Sequence, residues 1–170
     1  MKKTSLSILL VVALGLAMLS ACGGGSSSSA PPPPPPPPTT AVLTLLTSGF
    51  STTVYGIEVT VVLPDGVTAK STAAPPMTDN GVVTATGSAA GAEDAIGNYT
   101  PASSPAKGTV LILISKKTGF GVGEYSTVNL DIVTANTPTA GSFSLSNFKP
   151  VDDEGHDIAG LSPAFTASIR

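Results

Sequence analysis

Reactive side chains are sparse in this chain, and the densest group of polar ones is Asp152-Asp153-Glu154-Gly155-His156-Asp157. His156 is the only histidine and Cys22 the only cysteine, so a Ser-His-Asp or Cys-His nucleophile would have to be built around a single ring. Polar residues around a glycine are what an exposed loop needs, and that is the reading favoured here. Carboxylates at a bend also suit a hard cation, which makes Asp152, Asp153 and Asp157 the candidate calcium ligands, but the EF-hand spacing and its closing bidentate glutamate are missing. Glu58, Glu93, Asp94 and Glu124 could supply a carboxylate pair for glycoside hydrolysis if the fold brought two together. Gly119-Phe120-Gly121-Val122-Gly123 lacks the third glycine of a dinucleotide fingerprint and reads as a turn between strands. Asn98-Tyr99-Thr100 matches the glycosylation sequon, a three-residue pattern that carries little weight by itself. These residues assign no catalytic group, no metal and no cofactor.

The setting of Cys22 is more informative. Met1-Lys2-Lys3, an apolar run from Leu6 to Leu19 and the small residues Ser20 and Ala21 follow the order of a secretory signal. The run is shorter than the ~20 residues of a spanning helix and ends in a Gly/Ser tract rather than a basic cluster. Leu19-Ser20-Ala21-Cys22 resembles the bacterial lipobox, which implies acylation of the Cys22 thiol and cleavage before it. Residues 1–21 are then a signal peptide, and Cys22 is the lipid attachment site. By the same resemblance, Gly23 after the cysteine implies an outer-membrane destination. With its one thiol acylated, the exported domain must be held by its core without an intramolecular disulfide.

Residues 22–40 form a linker. Gly23 to Ser29 is all Gly and Ser, and Pro31 to Pro38 is an unbroken proline run, so neither part can build a core. The first part is expected to be a disordered, flexible coil, and the second an extended spacer of roughly 25 Å. The net charge of −3, with no basic cluster beyond Lys116-Lys117, leaves no footprint for nucleic acid.

Residues 41–170 suffice for one domain. Their apolar residues repeat with period two, which predicts an all-β fold. The clearest strand is Tyr55 to Leu63, with Ile57, Val59, Val61 and Leu63 on one face and Glu58 and Thr60 on the other, followed by the turn residues Pro64-Asp65-Gly66. Further strands are predicted at Val42 to Leu46, Val67 to Lys70, Val82 to Ser88, Val110 to Ser115, Thr127 to Val133, Phe143 to Phe148 and Phe165 to Ile169, with a weaker one at Ile96 to Thr100. Thr109 to Ile114 is apolar on both faces and predicts a central strand covered on each side. In Thr127 to Val133, Val128, Leu130 and Ile132 should point in while Asn129 and Asp131 point out. Strands at this spacing favour a two-sheet sandwich over a barrel.

The segment from Tyr55 to Val67, the Gly-rich turn into Tyr125 to Val133 and the Phe148 to Ile158 loop resemble the cohesin and carbohydrate-binding-module superfamily. That resemblance implies a nine-stranded jelly-roll sandwich, cohesin-like, in which a flat sheet face binds a partner protein; no individual contact position carries over. The expectation is a lipid-anchored, non-catalytic module of the cell envelope that recruits a protein through a sheet face. A carbohydrate-binding module is the alternative, with Tyr55, Tyr99 and Tyr125 as its aromatic candidates, although Trp is absent and Phe143 and Phe165 look like core. A small hydrolase ranks third. The domain is expected to fold as a β-rich monomer without metal or reductant. Cys22→Ser should abolish acylation and membrane retention, read by the loss of radiolabelled palmitate from the protein and its release from the membrane fraction.

Overall fold

Alternation of apolar and polar residues is satisfied by extended backbone with one face covered, and the chain meets that condition repeatedly. The computed structural model describes residues 35–72, 77–133 and 137–170. Its strands are β1 (Thr40–Ser48), β2 (Val54–Val62), β3 (Val67–Thr68), β4 (Val83–Ala85), β5 (Asp94–Thr100), β6 (Thr109–Phe120), β7 (Glu124–Ile132), β8 (Ser144–Val151) and β9 (Ser162–Ile169). Cys22, the signal region 1–21 and most of the linker lie outside the described residues. Residues Pro36–Arg170 form one compact unit, and β1 opens at Thr40, one residue ahead of the expected domain start.

The strands form two antiparallel sheets. One runs β3-β7-β1-β9, with β4 also pairing β7, and the other runs β5-β6-β2-β8. The fold is therefore the expected all-β, nine-stranded sandwich. Each of the nine predicted strands is found, with shifted ends. The strand expected to reach Ser88 stops at Ala85, because Gly87 takes a φ of 53° and opens a 3-10 turn over Gly87–Ala89. A Cβ at Gly87 would run into the Glu124 carbonyl, so glycine is required there. β6 runs past its expected end at Ser115 to Phe120, through Lys116 and Lys117, and Gly121 to Gly123 turn the chain into β7.

Between the sheets, Leu43 and Leu45 of β1 and Val128 and Leu130 of β7 meet Ile57, Val59 and Val61 of β2 and Val110, Ile112 and Ile114 of β6, all buried. Each such side chain contributes roughly 1.5–3 kcal/mol by leaving water. Asn129 and Asp131 face outward as the alternation predicts. A register shift opposite Leu45 and Leu46 leaves Tyr125 as the extra residue of β7, so both Tyr125 and Ser126 are buried. The Ser126 hydroxyl donates to the Thr84 carbonyl at 3.1 Å. The Thr47 hydroxyl accepts from the Gly123 N–H at 3.0 Å and donates to its carbonyl at 3.3 Å.

One expectation fails. The Thr109 to Ile114 run is not covered on both faces: Val110, Ile112 and Ile114 are buried, whereas Leu111 and Leu113 are 36% and 41% exposed. Among the described residues no element packs over that face, so a run apolar at every position is half solvated. Ile112→Ala should lower the unfolding free energy by about 2–5 kcal/mol. Leu113→Ala, one residue along but on the outer face, should cost about 0.5 kcal/mol or less. Urea titrations of the two variants measure the contrast.

Candidate functional site: the outer face of the four-stranded sheet

The registers of β5, β6, β2 and β8 set their outward side chains in rows. Ile96, Leu113, Glu58 and Lys149 form one row, and Asn98, Leu111, Thr60 and Ser146 the next. A bridge between Met77 and Asn98 extends the second row by an exposed methionine. Val62, opposite Thr109 and Ser144, adds a half-buried aliphatic side chain below. Met77, Leu111, Leu113, Ile96 and Val62 thus make an aliphatic centre. Glu58, Lys149, Asp94 and Ser115 form a polar border, where the Ser115 hydroxyl donates to Asp94 at 2.6 Å. An exposed apolar patch with a polar rim is the arrangement of a protein-binding surface.

The opposite face differs. Thr84, Thr127, Thr44 and Thr166 lie in register across β4, β7, β1 and β9, so hydroxyls cross the centre of that sheet. Cross-strand Thr pairs stabilise a sheet.

No family model, curated protein or solved structure matches this chain. The surface is therefore read from its own chemistry.

The structure scatters the other sequence candidates. Tyr99 and Tyr125 belong to the core, and burial pushes both phenols above their ordinary pKa, so the three tyrosines do not line one site. Tyr55 stays half-exposed, beside Ser115, Lys116, Lys117 and Asp153 around a shallow depression. Phe143 is buried and Phe165 packs against the core, as expected. Among the four carboxylates, Glu58 is on the outer face of β2, Glu124 belongs to the other sheet, and Glu93 accepts the Lys117 N–H at 2.9 Å. That bond holds Glu93 below the usual carboxylate range. Asp94, on β5, shares the outer sheet face with Glu58 but lies two strands away and one row out of register.

In the acidic turn, Asp152 serves the backbone. Its Oδ1 accepts the His156 N–H at 2.8 Å and the Glu154 N–H at 3.0 Å, the local capping that aspartate offers a turn. Asp157 lies 3.4 Å from the Lys149 ammonium. The His156 ring is exposed, with Nδ1 3.3 Å from Glu154 and 3.7 Å from Asp152. Among the described residues no three His, Cys, Asp or Glu side chains are grouped to hold a metal ion.

The missed residues are Leu111, Leu113, Ile96, Val62 and Met77. The available signal was the length of the apolar run in β6, which admitted an exposed outer face as well as a covered one.

Asp152 has a testable signature. The N–H of His156, then that of Glu154, favours its ionised form, and its pKa lies below the ordinary 3.8. Because the folded value is the lower one, the stabilisation is present above the unfolded carboxylate's value and is lost as pH falls through the folded one. An NMR pH titration should place the Asp152 midpoint below the ordinary 3.8, with the His156 and Glu154 amide shifts moving in step, and Asp152→Ala should abolish that amide transition.

Proposed function

We propose that this chain is a lipid-anchored, non-catalytic binding module of the bacterial cell envelope, which recruits a protein partner through the outer face of the β5-β6-β2-β8 sheet. The observation that carries the reading is the exposure of Leu111 and Leu113 at the centre of a four-strand face, with Met77 and Ile96 beside them. Two outward leucines on a well-packed central strand contribute little to the fold, whereas the same area becomes favourable when a partner removes it from water. The polar border would set the docking register, with the Glu58 carboxylate offering a contact for a cation on the partner.

The lipid anchor at Cys22 and the outer-membrane destination rest on the lipobox resemblance, with the Gly/Ser and proline segments as the spacer. The two-sheet, nine-strand architecture supports the cohesin-like reading without assigning a particular partner. Polysaccharide binding is the second reading. It is weakened because sugar recognition leans on exposed aromatic rings, and two of the three tyrosines are in the core.

An affinity pull-down from the cell envelope, with a glycan array run on the same preparation, tests both readings. One protein should be recovered by the native chain, and Leu111→Asp with Leu113→Asp should reduce its recovery at least about tenfold, while circular dichroism and thermal stability stay close to native. Glycan binding lost on Tyr55→Ala, with no protein recovered, would replace the protein reading by the sugar-binding one.

A further inference from the structure

A β-sandwich that does not close has strand edges to protect, and here the protection is uneven. β8 ends its sheet with a bulge at Asn147, whose φ is 52°, followed by Lys149 and Pro150 within the strand. The β5 edge is covered around Gly97 and Asn98 by Met77 and Thr78, the Thr78 N–H donating to the Gly97 carbonyl at 2.8 Å. On the far side of the other sheet, β3 and β4 are pieces of two and three residues. β9 is different: it runs eight residues, keeps an unbroken register with β1 and carries no charge from Ser162 to Ile169.

The pairing tells which of its backbone groups are free. Thr40 and Arg170 exchange reciprocal hydrogen bonds of 2.9 Å. In an antiparallel ladder bonded pairs alternate, so Ser168, Thr166, Ala164 and Ser162 also turn their backbone groups toward β1. Ile169, Ala167, Phe165 and Pro163 turn theirs off the edge. Pro163, which has no N–H, falls on the free side, as the ladder requires. No other described element forms a ladder with those groups. The same alternate residues point their side chains to the core side, and Phe165, Ala167 and Ile169 are only half-buried there. A free hydrogen-bonding edge and an incompletely covered apolar row therefore coincide on one strand.

We propose that this edge pairs with itself, so that two copies of the chain join their β3-β7-β1-β9 sheets through antiparallel β9 strands. The register follows from the sequence. With Ala167 on the two-fold axis, Phe165 stands opposite Ile169 of the second copy, Ala167 opposite Ala167, and Ile169 opposite Phe165. Each of the three free N–H groups then meets a carbonyl, and Pro163 falls beyond the overlap. Large side chains meet large ones and the small alanine sits at the axis, which is the self-complementarity an isologous contact requires. Thr166 and Ser168 stand opposite each other on the outer face, and the two Arg170 cations lie at opposite ends of the ribbon. A register centred one residue earlier would set Pro163 in the ladder and leave a carbonyl unmatched. The chain's own linker is a poor occupant, since a proline run offers no N–H groups. Pairing through β9 replaces the expectation of a monomer and leaves the outer face of the β5-β6-β2-β8 sheet uncovered by the strand contact.

Sedimentation velocity on residues 36–170, the compact unit, tests the idea together with disulfide trapping. That unit contains no cysteine. The native unit should show a dimer whose fraction rises with concentration. Ala167→Pro removes an N–H that β1 does not use, and should weaken association at least about tenfold while the circular dichroism spectrum is retained. Under mild oxidation Ala167→Cys should cross-link to a dimer, because paired residues in a ladder lie within disulfide reach. Ala164→Cys, displaced from its own copy along the ribbon, should not. A monomer at every concentration, a dimer indifferent to Ala167→Pro, or equal cross-linking of the two cysteine variants overturns the proposal; if Ala167→Pro fails to fold, the cysteine pair decides alone.

Discussion

Everything in this domain depends on one constraint: two sheets must stay together by side-chain burial alone, since residues 36–170 contain no cysteine to tie them. The inner faces are built mainly from Val, Leu and Ile, with Tyr125, Tyr99, Phe120 and Phe143 as the few large rings. Branched aliphatic side chains suit a pleated surface, where their stiffness costs little on folding. β1 and β2 are two of the four inner strands of this scheme, with β6 and β7. Each is bonded on both sides, β1 by β7 and β9 and β2 by β6 and β8, and each alternates buried with less buried residues along its length.

The remaining polar features serve that packing. The β6-β7 hairpin is fastened to the 3-10 turn at Gly87–Ala89 by the Ser88 hydroxyl, which reaches the Gly121 and Glu124 carbonyls at 2.7 and 2.9 Å. Lys116 returns the contact by donating to the Ala90 carbonyl at 2.8 Å. These bonds explain why β6 continues as a strand through residues too polar to be read as one, since tertiary contacts supply what local propensity lacks.

The nine strands were legible because period-two alternation is a direct image of a half-buried sheet. Tyr55 to Leu63 and Thr127 to Val133 gave the correct inner and outer residues one by one. Strand ends were less legible where a backbone conformation decides them, as at Gly87, whose positive φ leaves no mark in hydropathy. The candidate site was hidden for a different reason. A run such as Val110 to Ile114 is apolar at every position, and such a run fits a strand buried on both faces and a strand with one face reserved for a partner equally well. Only the positions of β5 and β2 beside it, with no layer above among the described residues, distinguish the two. The tyrosines misled in the opposite sense: nothing in the sequence separates a ring that fills a bulge, like Tyr125, from one that faces solvent, like Tyr55.

The place of β1 also bears on how the domain carries load. The chain arrives at β1 through residues bonded at once to two neighbours: the Thr39 and Thr40 N–H groups reach the Arg170 carbonyl, and the Ile132 N–H reaches the Thr39 carbonyl. β1 then runs antiparallel to β7 and β9 along its length. Tension applied at its first residue acts along the strand axis, so both ladders are loaded in shear and many bonds must fail together. An edge strand pulled sideways would open one bond at a time. The strand by which the chain enters the domain is thus the one seated to resist being drawn out.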